Sequence, residues 1–140
     1  MRTGMKTGMK TLLSKTAVVL GLLPIAAMSA NQLIAVNCNP VDEVTVCTFK
    51  AHTYPKDYNK YILEGQNTAV VEFYHMNRAS YPKIHVENNP FISQVSYHYD
   101  PSAEKATVRF LLTGPVNIDE DDSYAGVLAL RFSHESQTNY

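Results

Sequence analysis

Residues 95–112 read Val-Ser-Tyr-His-Tyr-Asp-Pro-Ser-Ala-Glu-Lys-Ala-Thr-Val-Arg-Phe-Leu-Leu. Val95, Tyr97 and Tyr99 alternate with Ser96 and His98, the period of two that sends successive side chains to opposite faces of a strand. Asp100-Pro101-Ser102 follows as a turn, with proline where its fixed φ suits the backbone. Ala106, Val108, Phe110 and Leu112 then share one side of a second strand, and Lys105, Thr107 and Arg109 share the other.

The same pattern extends in both directions. Val44–Phe49 is a β-branched run. Tyr58–Leu63 is a short strand, and Gly65-Gln66-Asn67 turns the chain. Thr68–His75 sets Val71 and Phe73 against Val70, Glu72 and Tyr74. Lys83–Glu87 reads as a short edge strand, broken by Asn88-Asn89-Pro90. Gly114-Pro115 turns again, and Val127–Phe132 is the last strand, with Leu128, Leu130 and Phe132 inward. Asn37–Asp42, His52–Lys60 and Asn77–Lys83 read as turn or loop, and Asn117–Ser123 as an acidic loop. No segment beyond residue 30 carries a helical period. The expectation is an all-β fold, a small sandwich or two packed antiparallel sheets of about eight short strands. It forms a single domain over 31–140, with 134–140 a frayed tail. Val46–Phe49 with Ala69–Phe73, and Thr107–Phe110 with Val127–Phe132, make a weak internal repeat that suggests two half-domains.

The first 30 residues read differently. Arg2, Lys6, Lys10 and Lys15 precede an apolar run of 11 residues, Ala17–Ala27, and small residues follow. This is the charge, apolar core and cleavage site of a secretory signal, 1–30, cut after Ser29 or Ala30. A bilayer span needs roughly 20 apolar residues, so the run is too short to remain as an anchor. The mature chain keeps eight of the twelve Lys and Arg against all thirteen acids, a net charge of −5. That excess of acid argues against nucleic acid and against anionic lipid as partners. Export sends Cys38 and Cys47 to an oxidising compartment, where a lone pair closes, so a Cys38–Cys47 disulfide is expected.

The chain has no Gly-x-Ser-x-Gly, no Cys/His pair and no phosphate loop, and no enzyme is expected. No cofactor or metal is expected either. The histidines lack short ligand spacing, and Asp119–Asp122 lacks the glycine and distal glutamate of a calcium loop. Nine tyrosines all lie in the mature chain. If Tyr97 and Tyr99 join the wet side of their sheet, they meet Arg109 and Arg131 in an aromatic and cationic binding patch. Tyrosine rings stack on sugars and peptides, and arginine takes carboxylates. If they turn inward, they fill the core instead.

Ala69–Phe132 resembles the AMIN domain, a small non-catalytic β module at the front of periplasmic amidases and pilus secretins. The resemblance runs through Val70-Val71-Glu72-Phe73, Val86-Glu87-Asn88-Asn89-Pro90, Ile92–Tyr97, Asp100-Pro101, Thr107–Leu112, Gly114-Pro115-Val116 and Val127–Phe132. It covers about half of the chain. The family usually has Asp at the place of Glu72, and an Arg and a Gly-Gln pair where Ser96–Tyr99 stand here. The resemblance implies a periplasmic module that holds cell-wall peptidoglycan or an envelope protein of a pilus or secretion machine. The alternative is a small disulfide-stabilised periplasmic inhibitor or solute-binding protein.

Overall fold

The computed structural model describes residues 31–77 and 81–135. The expected signal segment and residues 136–140 lie outside the described residues. Nine strands run in the order β1 (Leu33–Val41), β2 (Val44–Ala51), β3 (Tyr58–Leu63), β4 (Thr68–Phe73), β5 (Lys83–Val86), β6 (Ile92–Asp100), β7 (Lys105–Leu112), β8 (Val116–Glu120) and β9 (Leu128–His134). Among the described residues there is no helix. The strands form a five-stranded sheet, β5-β1-β2-β9-β8, and a four-stranded sheet, β3-β4-β7-β6. β5 runs parallel to β1, and all other neighbours are antiparallel.

The expected alternation decides which side of each sheet is dry. Val36, Cys38, Cys47, Phe49, Leu128, Leu130 and Phe132 project from the larger sheet, and Val71, Phe73, Ala106, Val108 and Phe110 from the smaller one, all at 0% exposure. Phenylalanine rings bridge the sheets. Phe49 lies 5.3 Å from Phe73 and 6.0 Å from Phe110, and Phe110 lies 5.3 Å from Phe132, between centroids. Each ring buried this fully contributes about 1.5–3 kcal/mol. At the edge of the smaller sheet, Tyr58, Lys60 and Ile62 occupy the inward row of β3, opposite Phe73, Val71 and Ala69.

Two stretches expected as loops are strands. Asn37–Asp42 is turn-rich in composition, yet residues up to Val41 continue β1 and pair with β2 down to Val41↔Val44. The turn is Asp42-Glu43, with Asp42 at φ 56°, a left-handed conformation that aspartate tolerates. The acidic stretch from Asn117 hides a period of two. Val116 and Ile118 point to the core while Asn117 and Asp119 alternate with them, and β9 supplies the pairing. His134, expected in the tail, belongs to a strand. His134 closes β9 opposite Val116, its ring 4.8 Å from that of Phe91.

The half-domain expectation gives way to interleaving. β2 pairs with β9 in one sheet and β4 with β7 in the other, so each repeat unit contributes a strand to both sheets. One core results. Cys38 and Cys47 are bonded to each other inside it. They are direct register partners on β1 and β2, with Cα atoms 4.0 Å apart. The Cys38 carbonyl accepts the Glu87 N–H at 2.8 Å on the opposite side of β1. The pair therefore occupies a non-hydrogen-bonded site, where facing side chains come closest.

Candidate functional site

The outer side of the smaller sheet carries the most organised group of polar side chains. Register sets three rows across β3, β4, β7 and β6. They are Asn59–Glu72–Thr107–His98, Tyr61–Val70–Arg109–Ser96 and Leu63–Thr68–Leu111–Gln94. Glu72 is the hub. Tyr74 donates its hydroxyl to Oε1 at 2.9 Å, Tyr61 donates to Oε2 at 3.0 Å, and Lys105 Nζ reaches Oε2 at 3.3 Å. The Glu72 side chain is 15% exposed. Burial alone pushes its carboxyl up, but the hydrogen bonds from Tyr74, Tyr61 and Lys105 outweigh it and hold the group below its ordinary value. The Tyr61 hydroxyl is pushed up by desolvation and by its bond to Glu72, and the Tyr74 hydroxyl chiefly by its bond to Glu72.

Val70 lies in the middle row with 0% exposure, although it points away from the core. The side chains around it therefore seal it, and the face has an apolar floor beneath polar and aromatic cover. Leu111, in the next row, is 44% exposed. The strand expected to reach His75 ends at Phe73, and Tyr74, one residue past β4, turns its hydroxyl to Glu72 on the same face. Tyr61 joins them through the register of the β3–β4 hairpin.

The binding patch expected from Tyr97, Tyr99, Arg109 and Arg131 does not assemble. Tyr97 and Tyr99 pair with Val108 and Ala106, so they occupy the inward row of β6. Tyr99 donates its hydroxyl to the Met76 carbonyl at 2.8 Å. Tyr97 lies 5.0 Å from Tyr81 edge-on, and burial pushes its hydroxyl up. Arg109 stands on the outer side of the smaller sheet. Arg131 faces out from the larger one, 3.9 Å from Asp121. The physical reason is parity: one residue's shift along β6 exchanges its faces, and the pairing to β7 sends the tyrosines with Val108.

Other candidates are engaged elsewhere. His75 Nε2 contacts Asp57 Oδ2 at 3.0 Å rather than joining His98. Asp121 accepts the Ser123 N–H and hydroxyl. Among the described residues no three His, Cys, Asp or Glu side chains gather to hold a metal. A cleft of about 280 Å³ opens beside Ile62, Leu112 and Val116. At the start of β3, the Tyr58 hydroxyl is pushed up to about 12 by desolvation and by Glu120.

No protein-family profile matches the chain, and no curated protein matches it in a sequence search. The disulfide fits an oxidising, exported location. Among the described residues no helix is long and apolar enough to cross a membrane.

Proposed function

We propose that the protein is an exported, non-catalytic binding module of the bacterial cell envelope, of the AMIN type. It holds peptidoglycan or an envelope protein of a pilus or secretion machine. The observation that carries this reading is the outer face of the four-stranded sheet, where Tyr61, Tyr74 and Lys105 converge on Glu72. A carboxylate satisfied by three donors is a brace rather than a reagent. It fixes two aromatic side chains on the outer side of the sheet, and such rings stack on sugars and extended peptides. Export is supported by the leader pattern and the disulfide.

The test is retention of the purified periplasmic protein on cell-wall sacculi, alongside crosslinking in intact envelopes. Retention, or capture of an envelope protein, that Tyr61→Ala weakens per folded molecule supports the reading. No retention together with no envelope partner overturns it.

A further inference from the structure

We propose that Arg109 is the anion-binding residue of this face, and that it takes the carboxylate of an extended peptide, the stem peptide of the cell wall. The inference deepens the function proposed above and rests on its wall reading. On the outer side of the smaller sheet, Glu72 already accepts from Tyr61, Tyr74 and Lys105. Asp100 Oδ1 accepts the Ser102 N–H and hydroxyl. Lys105 is committed to Glu72 at 3.3 Å. Arg109 is exposed, and among the described residues no carboxylate forms an ion pair with it. A mature chain of net charge −5 thus presents, on the outer side of its smaller sheet, a guanidinium that no carboxylate among the described residues pairs.

The neighbours define the anion. Ser96 sits directly opposite Arg109 on β6, and Val70 directly opposite on β4. Tyr61 ends the same row, and Leu111 stands in the next. A phosphate calls for several cations, whereas one guanidinium whose own row partners, Val70, Ser96 and Tyr61, carry no charge suits a planar, singly charged carboxylate in a two-pronged grip. The exposed Leu111 beside it suits the small apolar side chain of a peptide rather than an acidic sugar.

The experiment is calorimetric titration with soluble muropeptides, free and carboxyl-amidated, paired with sacculus retention. Wild type, Arg109→Gln, Arg109→Lys and Arg131→Gln are compared, with melting curves to establish folding. The expected result is a loss of about tenfold or more in affinity on amidation or in Arg109→Gln, the size of a charge-assisted bidentate contact. Arg109→Lys falls between, and Arg131→Gln, on the other sheet, binds as wild type. If wild type binds sacculi while Arg109→Gln or the amidated ligand binds equally well, the assignment to Arg109 is overturned and the wall reading stands. If wild type binds neither sacculi nor muropeptide, the wall reading fails and this inference goes with it.

Discussion

Cys38 and Cys47 face each other across the β1–β2 hairpin as direct register partners, their Cα atoms 4.0 Å apart and both side chains at 0% exposure. The bond closes a separation of nine residues, so on the chain-entropy account it contributes roughly 2–3 kcal/mol through the unfolded chain. Cys47→Ser also leaves a hydroxyl and a thiol in an apolar core. Its melting temperature is expected to fall by about 10 °C or more, measured by calorimetry. Two thiols titrating in native wild-type protein contradict the bridge.

Thr45 offers the opposite change. It is at 0% exposure, and its Oγ1 finds no hydrogen-bond partner among the described residues. A buried hydroxyl without a partner is destabilising by about 1–3 kcal/mol relative to an apolar group of the same shape. Thr45→Val is expected to raise the melting temperature by several degrees. A lower melting temperature in that variant contradicts the account.

The carboxyl of Glu72 is held below its ordinary value of 4.5 in the folded protein. Its contribution to stability is therefore fully present above the unfolded value and is lost as pH falls through the folded one. Wild type should lose stability on acidification below about pH 4.5. Glu72→Gln should be less stable near neutral pH and show a shallower decline in that window. Parallel melting-temperature profiles for the two proteins contradict the role of Glu72 as the hub.

Tyr58 supplies the alkaline counterpart. Its folded value of about 12 lies above the ordinary 10.0, so it stabilises below pH 10 and that contribution is lost as pH rises toward 12. Tyr58→Phe is expected to flatten the stability profile between those limits. Tyrosinate absorbance during alkaline titration should show one late-titrating ring fewer.

Tyr97 separates core from surface. Its ring fills the inward row beside Val108, so Tyr97→Ala is expected to lose about 2 kcal/mol of stability while binding per folded molecule stays unchanged. A binding loss without a stability loss contradicts that placement.

The alternation in Ala106–Leu112 and Leu128–Phe132 makes the core legible from the amino-acid order alone, because a half-buried strand writes its faces into every second residue. Pairing is less legible. Asn39-Pro40 and Asp119-Glu120 are poor strand formers, and each lies in a strand because a long neighbour, β2 or β9, supplies the ladder. The face of Tyr97 and Tyr99 depends on the register of β6 against β7. The Glu72 hub needs Tyr61 from another strand and Lys105 from a third. Neither can be read from spacing along one segment.

Lys60 sits in the inward row of an edge strand, where a second chain adding itself to β3 would have to shut its ammonium away from water. The opposite edge of the same sheet is guarded too, since Tyr81 lays its hydroxyl on the Tyr97 carbonyl at 3.2 Å. One edge of the larger sheet, β5, is four residues long and opened by Lys83. At three of the four edges of its two sheets, one lysine, one tyrosine and one short strand thus stand against stacking into fibres.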